Sequence, residues 1–142
     1  MNDLFELAYK ESLKSLKSND VPVGAIVTKD GRIVAKAHNQ REKKKNAIYH
    51  AECIAIFKAA KKLKSWNLND CELYTTLKPC SMCEAIINNS RISKVYYLLN
   101  KNESKMEYQS EYIYSRTNVC YEISNKYRTV LSNFFAKIRK NK

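Results

Sequence analysis

Apolar residues along the chain change their spacing several times, and each change marks a new element. The first segment has apolar side chains three or four positions apart, at Phe5, Tyr9, Leu13 and Leu16. The last segment has the same spacing, at Tyr127, Val130, Leu131, Phe134 and Ile138. Because this period matches the turn of an α-helix, the pattern predicts a helix over Asn2 to Ser18 and another at the C-terminal end.

A hairpin is predicted after the first helix. The run from Val23 to Thr28 indicates a strand, and the alternating run from Arg32 to Ala37 indicates the returning strand. The dipeptide Asp30-Gly31 between them is a turn signal typical of hairpins. A polar loop with three consecutive lysines then leads to His50.

Helices and strands alternate in the middle of the chain. A deeply buried helix is predicted from His50 to Leu63. Its apolar stripe consists of Cys53, Ile56, Phe57, Ala60 and Leu63. Strands are predicted at Leu73 to Leu77 and at Lys94 to Leu99, with a short helix opened by Pro79 between them.

This order of elements predicts a three-layer α/β/α sandwich, in which helices cover both faces of a mixed sheet. Functional loops of such sheets lie beyond the strand ends. The stretch from Asn100 to Asn118 has no clean period and supports no assignment.

Composition limits the class of protein. The chain has 142 residues and a net charge of +12, from 26 basic and 14 acidic residues. This length is typical of one domain, so residues 1–142 are expected to fold as a unit. No apolar run is long enough for a membrane span, and the charged first helix does not resemble a secretory signal. We therefore expect a cytoplasmic protein without membrane association.

The excess of positive charge has two explanations. A lysine-rich composition arises in AT-rich genomes, although that bias does not remove acidic residues. A strongly basic domain is also typical of proteins that bind a polyanion such as a nucleic acid. Composition alone leaves both explanations open.

Two short stretches carry candidate chemistry, His50-Ala51-Glu52 and Pro79-Cys80-Ser81-Met82-Cys83. Each alone is a weak signal, since a lone CxxC can be a redox pair and a histidine at a helix start is often a cap. Together they are stronger, because both are expected in the first turn of a helix. Cys80 and Cys83 share one helix face, and with His50 they supply the ligand types of tetrahedral zinc.

Three protein ligands leave the fourth position of zinc to water, which is typical of a catalytic site. Glu52 lies close to His50 in sequence and can serve as the base for that water without ligating. The sequence therefore predicts one Zn²⁺ per chain. The other cysteines are expected to be structural, with Cys53 in the core, Cys71 at a strand edge and Cys120 buried or half-buried. Such an odd count fits a reducing compartment.

The order H-x-E followed by P-C-x-x-C resembles the zinc nucleobase deaminases. The resemblance covers nearly the whole chain, and it is strongest to the bacterial enzymes that convert the wobble adenosine of a tRNA anticodon to inosine. Further matching stretches are Val21-Pro22-Val23-Gly24-Ala25, His38-Asn39, Ser90-Arg91-Ile92 and Phe134-Phe135 with Arg139. The resemblance implies a mixed five-stranded sheet of the cytidine deaminase type and a homodimer.

The resemblance also implies roles for individual residues. His50, Cys80 and Cys83 would ligate zinc, and Glu52 would be the catalytic proton shuttle. Asn39 would hydrogen-bond the target nucleoside, although it could instead stabilise its own turn. The wall of the base pocket would include Val23, Ala51 and Leu77, of which Val23 and Leu77 could equally be ordinary core residues.

The chain departs from the family pattern at three places beside these motifs. Asn46-Ala47-Ile48-Tyr49 replaces a stretch with an Asp-Pro pair, and we expect the bulky Tyr49 to lie beside the pocket. Lys78 stands where the family usually has Glu before Pro-Cys, which reverses a charge near the site. Glu84 replaces a glycine after Cys83.

Two groups of basic residues are candidate contacts for RNA, although either could be ordinary solvated surface. The first lies on the last helix and consists of Arg128, Lys137, Arg139 and Lys140. The second is the run Lys43, Lys44 and Lys45.

The expected function is hydrolytic deamination of the wobble adenosine, with a tRNA anticodon stem-loop as the partner. One alternative is a deaminase of a free base or nucleoside such as cytosine, cytidine or guanine. The other is a non-catalytic RNA-binding partner subunit, against which the presence of Glu52 argues.

Overall fold

The computed structural model describes residues 2–100, 111–114 and 118–140, with side chains described for 3–100 and 122–140. Along the chain these residues form α1 (Asn2–Lys14), a 3-10 turn (Ser15–Ser18), β1 (Gly24–Lys29), β2 (Arg32–His38), α2 (Arg41–Lys44), α3 (Ala51–Leu63), β3 (Cys71–Leu77), α4 (Ser81–Asn89), β4 (Lys94–Leu99), β5 (Glu111–Tyr114) and α5 (Asn118–Lys140). Within the stretch that has no clean period, β5 is described. Residues 101–110 and 115–117, like the side chain of Cys120, lie outside the described residues.

The strands form one mixed sheet in the order β2-β1-β3-β4-β5. β1 is antiparallel to both β2 and β3, whereas β4 is parallel to β3 and β5. The start of β1, the end of β2 and the ends of β3 and β4 therefore meet at one edge of the sheet. The connections that carry the predicted zinc ligands leave from this edge.

Alternate side chains of the strands face two different cores, and helices cover both faces of the sheet, as predicted. On one face α1 packs against β1, β2, β3 and α5. The side chains buried there include Phe5, Ile26, Tyr74 and Tyr96. On the other face α3 packs against β1 and β2 and also contacts α4.

α1 lies directly on the backbone of β1 at Gly24. A Cβ atom at this position would lie 1.9 Å from the carbonyl oxygen of Ala8 and 2.8 Å from the amide nitrogen of Ser12. Only glycine permits so close an approach. α5 is held to the same region, because the buried Tyr127 hydroxyl donates a 2.6 Å hydrogen bond to the carbonyl oxygen of Pro22.

The hairpin prediction is confirmed in its turn, where both central residues have positive φ, 52° at Asp30 and 75° at Gly31. This conformation is the one that Asp-Gly favours in two-residue hairpins. Among the described residues, no helix is long and apolar enough to cross a membrane.

Three local predictions are wrong. Phe57 belongs to the predicted core stripe of α3, but its side chain is 69% exposed. The face of α3 that meets the sheet carries small residues, Ala51, Ala55 and Ala59, which allow close packing. The lysine run is not a plain loop, because Lys43 and Lys44 lie in the short helix α2 and Lys45 is its C-cap. Pro79 does not open α4, whose N-cap is Cys80.

Candidate active site

The predicted zinc ligands lie at the starts of two helices on the same edge of the sheet. His50 is the N-cap of α3 and Cys80 is the N-cap of α4, and both have extended backbone conformations. Cys83 follows in the first turn of α4. The positive end of each helix dipole favours negative charge here, so this location suits thiolate ligands.

The three ligand atoms have a spacing that fits zinc. The Nδ1 atom of His50 lies 3.6 Å from the Sγ atom of Cys80 and 3.6 Å from that of Cys83. All three atoms lie within 4.8 Å of one another. In a tetrahedral site, ordinary zinc–nitrogen and zinc–sulfur bonds separate nitrogen and sulfur by about 3.6 Å. His50, Cys80 and Cys83 therefore fit one zinc ion without rearrangement.

Without a cation, protons occupy part of this cluster. Hydrogen bonds from Cys83 and His50 lower the pKa of Cys80 to about 3. The hydrogen bond to Cys80 raises the pKa of His50. Hydrogen bonding to neighbouring sulfurs, together with burial, raises the pKa of Cys83. A metal ion that binds here must displace protons from His50 and Cys83.

Glu52 lies in the first turn of α3 and is 4% exposed. Burial raises the pKa of its carboxyl group to about 7, and the hydrogen bond from its own backbone N–H and the positive charge of His50 oppose this only in part. A carboxyl group with this pKa can both accept and donate a proton near neutral pH. Glu52 is not among the three grouped ligand residues.

A small pocket brings the predicted site residues together. It has a volume of about 120 Å³ and contains His50, Glu52 and Cys80 in its wall. The predicted substrate residues line the same pocket, namely Val23, Asn39, Ala51 and Leu77. Pockets for whole small ligands usually measure roughly 300–1,000 Å³, so this pocket has room for one reacting ring and leaves the remainder of a ligand outside.

Asn39 also stabilises its own loop. Its side-chain amide donates a 3.1 Å hydrogen bond to the carbonyl oxygen of Val21, and its side-chain oxygen accepts a 3.2 Å bond from the backbone N–H of Arg41. The Ser15 hydroxyl donates a 2.9 Å hydrogen bond to the backbone carbonyl oxygen of Asn39. The turn-stabilising interpretation of Asn39 therefore holds, while its side chain remains in the pocket wall.

A groove leads from the pocket towards the end of α5. An adjoining cavity of about 390 Å³ shares Val21, Asn39 and Arg41 with the pocket. It also shares Asn19, Phe134 and Ile138 with a further cavity of about 810 Å³. We refer to these two cavities together as the α5 groove.

The structure divides the predicted RNA-binding residues into two sets. Lys45 and Lys137 line the α5 groove. The others are exposed but do not line it, namely Lys43, Lys44, Arg128, Arg139 and Lys140.

Two further cationic residues, Arg41 and Lys78, lie in the pocket wall. Arg41 is absent from the sequence-based assignment, and the only signal for it is its position two residues after Asn39. Lys78, the departure from the family pattern, lines the pocket as expected. Both add positive charge beside Glu52.

The prediction for Tyr49 is wrong. Its side chain lines a different cavity, together with Ile48 and Phe57. Consecutive residues of extended backbone point to opposite sides. Because the neighbouring His50 is extended and faces the site, Tyr49 faces away from it.

Comparison with known proteins agrees with this site. Residues 1–99 match the family model of the cytidine and deoxycytidylate deaminase zinc-binding region. The chain therefore belongs to this family of zinc-dependent deaminases.

Within the family, the chain is similar to a narrower group. It is 37% identical to the tRNA-specific adenosine deaminase of Rickettsia felis, over 94% of this chain and 99% of that protein. It is 35% identical to the tRNA-specific adenosine deaminase of Aquifex aeolicus, over 96% and 94%. A solved structure from a study of A-to-I editing by tRNA:A34 deaminases superposes with a TM-score of 0.73 at 27% identity, over 80% of this chain and 97% of that one.

Proposed function

We propose that the protein deaminates the wobble adenosine of a tRNA anticodon to inosine, with the anticodon stem-loop as its substrate. The observation that carries this proposal is similarity to tRNA-specific adenosine deaminases along nearly the full length of both chains. The site supports it in two ways. The pocket has room for one base. In the adjoining α5 groove, Lys45, Lys137 and Arg41 offer positive charge to flanking phosphates, beside the acidic Asp20 and Glu42 of the same wall.

His50, Cys80 and Cys83 would hold a zinc ion, which would act as a Lewis acid and lower the pKa of water towards neutrality. Glu52 accepts a proton from the attacking water and delivers it to the ring nitrogen beside C6 of adenine. It then assists the departure of ammonia, so that adenosine and water give inosine and ammonia. Asn39 holds the nucleoside, while Val23, Ala51 and Leu77 confine the ring and exclude bulk water.

A base reaches this pocket only from outside a stack. The pocket is lined by the buried side chains of Glu52, Val23 and Leu77, at 4%, 8% and 9% exposure. A base that remains stacked in a duplex cannot enter such a site, whereas an unpaired loop nucleotide can. The proposal therefore favours an anticodon loop over double-stranded RNA.

The experiment is a comparison of substrates. Zinc-loaded protein is incubated with an anticodon stem-loop, adenosine, cytidine, cytosine or guanine, and both inosine and ammonia are measured. Inosine formed only in the stem-loop supports the proposal. Ammonia from a small substrate favours the free-base or nucleoside alternative, and stem-loop binding without turnover favours a non-catalytic subunit.

Glu52→Gln provides the matched control because it keeps the shape of the side chain and removes its proton acceptor. We expect the variant to bind zinc and to lose roughly 10²- to 10⁴-fold in turnover, the usual contribution of general acid–base catalysis. Normal turnover by this variant would overturn the role of Glu52.

We further propose that the protein acts as a homodimer in the cytoplasm, whose reducing conditions suit free cysteines. Ile48, Tyr49 and Phe57 support a self-association surface, since their side chains are 58%, 37% and 69% exposed around one cavity. A two-fold pair of such surfaces would cover all three side chains on both copies. Light scattering of the wild type and of Phe57→Asp tests this, and a monomeric wild type contradicts it.

A further inference from the structure

Cys53 lies beside the proposed zinc site without belonging to its ligand group. Its Sγ atom is 3.5 Å from the Sγ atom of Cys83, and the two side chains are 8% and 0% exposed. The three ligand atoms that lie close enough together to hold one ion belong to His50, Cys80 and Cys83. Cys53 is therefore in direct contact with one ligand, at hydrogen-bonding distance for sulfur.

The position of Cys53 repeats the position of Cys83. His50 is the N-cap of α3 and Cys53 is three residues further on, whereas Cys80 is the N-cap of α4 and Cys83 is three residues further on. The helices α3 and α4 pack against each other. The same offset from two N-caps at one edge of the sheet brings the sulfurs of Cys53 and Cys83 together.

The direction of the hydrogen bond follows from the chemistry of a ligand. Either sulfur could be the donor from geometry alone. A cysteine that ligates zinc does so as a thiolate and has no proton to give. We propose that, when zinc is bound, Cys53 donates an S–H···S hydrogen bond to Cys83 and is a positioning residue for the zinc site, an inference that rests on the proposed function of His50, Cys80 and Cys83 as ligands.

This hydrogen bond has two effects on Cys83. The Cys83 side chain is fully buried, so no water can solvate the negative charge of its thiolate. The S–H group of Cys53 stabilises part of that charge by donating a hydrogen bond to it. The bond also fixes the direction of the sulfur lone pairs towards the ion. Partners that orient metal ligands in this way typically contribute tenfold to a hundredfold to metal affinity.

The test compares zinc affinity in the full-length wild type and three variants by competition with a chelator. Cys53→Val fills the site without a donor, and Cys53→Ser keeps a donor. Cys71→Val is the matched control, because Cys71 is a buried cysteine at the start of β3, the end of the strand away from the site. Circular dichroism and the unfolding midpoint establish that each variant is folded, and Cys53→Ala replaces Cys53→Val if the latter does not fold.

We expect Cys53→Val to lose about tenfold or more in zinc affinity, Cys53→Ser to stay within a few-fold of the wild type, and Cys71→Val to be unchanged. The Co²⁺-substituted proteins give a second readout. The sulfur-to-cobalt charge-transfer band should move to lower energy in Cys53→Val, because a thiolate without a hydrogen bond gives up an electron more easily.

Wild-type affinity and an unshifted band in Cys53→Val would overturn the proposal. An affinity of Cys53→Ser as low as that of Cys53→Val would also overturn it, since packing would then be the cause. Failure of the deaminase proposal looks different, with normal zinc binding by the wild type and no inosine in the stem-loop. A wild type that binds no zinc removes the basis of both.

Discussion

Glu52 has a carboxyl group that folding buries almost completely, and this burial has a cost. Its pKa rises from an ordinary value of 4.5 to about 7 in the metal-free fold. A raised pKa means that the folded chain holds the neutral form more strongly than the unfolded chain does. The resulting stabilisation is present below the unfolded pKa and is lost as the pH rises through the folded pKa.

The pH dependence of stability should therefore differ between the wild type and Glu52→Gln. The variant cannot ionise at this position, so it does not lose stability as Glu52 does. We expect the two metal-free proteins to unfold with similar free energies near pH 4.5, and the variant to be more stable by about 3 kcal/mol above pH 8. Urea unfolding at both pH values measures the difference. A difference that is the same at both would contradict it.

At the residue scale, sequence spacing was sufficient for the residues that share a helix turn. Cys80 and Cys83 are three positions apart, and the structure has their sulfurs and His50 Nδ1 together. Cys53 was predicted only as a core residue, because its neighbour Cys83 lies on another helix and pairing across helices leaves no local pattern. Arg41 is missed for a different reason, since its position two residues after Asn39 is the only sequence signal that places it in the pocket wall.

At the scale of elements, the packing of α1 against β1 depends on a residue without a side chain, Gly24. The chain has only two glycines, Gly24 and Gly31. Gly24 is required by the α1 backbone, which lies where a Cβ atom would be, whereas Gly31 has open space around it and a φ of +75°. The two glycines are therefore needed for different physical reasons.

Alanine at the two positions should separate these reasons. Gly24→Ala forces α1 away from the sheet, since the obstructing atoms are backbone atoms, and we expect a loss of more than about 3 kcal/mol of unfolding free energy. In Gly31→Ala the new methyl group contacts no other atom. Its only cost is the left-handed backbone conformation, and we expect a loss of about 1 kcal/mol of unfolding free energy. Urea unfolding of both variants measures this. Equal losses would mean that α1 can shift without cost.

Element types were largely predictable, whereas the orientation of α3 was not. The bounds of β4, Lys94–Leu99, agree with the prediction because a β-rich apolar run from Val95 to Leu99 stands there between polar residues. For α3 the largest apolar side chains suggested a stripe that includes Phe57. The sheet instead packs against Ala55 and Ala59, since small residues bring a helix closer to a sheet. Hydrophobic size alone does not reveal this preference.

At the scale of the whole molecule, the net charge of +12 can now be related to position. Lys45 and Lys137 line the α5 groove next to the pocket. Lys29 and Lys94 lie at the other end of the sheet. In the strand register, Lys29 stands opposite Cys71 and Lys94 stands opposite Glu72. The four lysines thus allow equal changes of charge near the pocket and far from it.

The salt dependence of stem-loop binding should distinguish these two pairs. Log affinity falls as log salt concentration rises. If Lys45 and Lys137 each contact one phosphate, the double change to Gln makes this fall less steep, by about 1.4 in the slope. The same double change at Lys29 and Lys94 should leave the slope unaltered. Filter binding at several salt concentrations gives both values. An equal decrease in the two variants would indicate a general effect of net charge.

The separation of the ligands along the chain has one more consequence, for the unfolded state. His50 and Cys80 are 30 residues apart in sequence, and α3 and β3 lie between them. An unfolded chain that bound one ion through both residues would have to close this long loop at a cost in conformational entropy, so the ion binds the folded form in preference.

Zinc that binds only the folded form should also raise stability by about 1.4 kcal/mol for each tenfold increase of free ion above its dissociation constant. Urea unfolding in zinc buffers measures this, and His50→Ala should show a much weaker dependence. A midpoint independent of zinc would contradict it. In such a protein the supply of zinc determines how long the chain remains folded, in addition to whether it can act on its substrate.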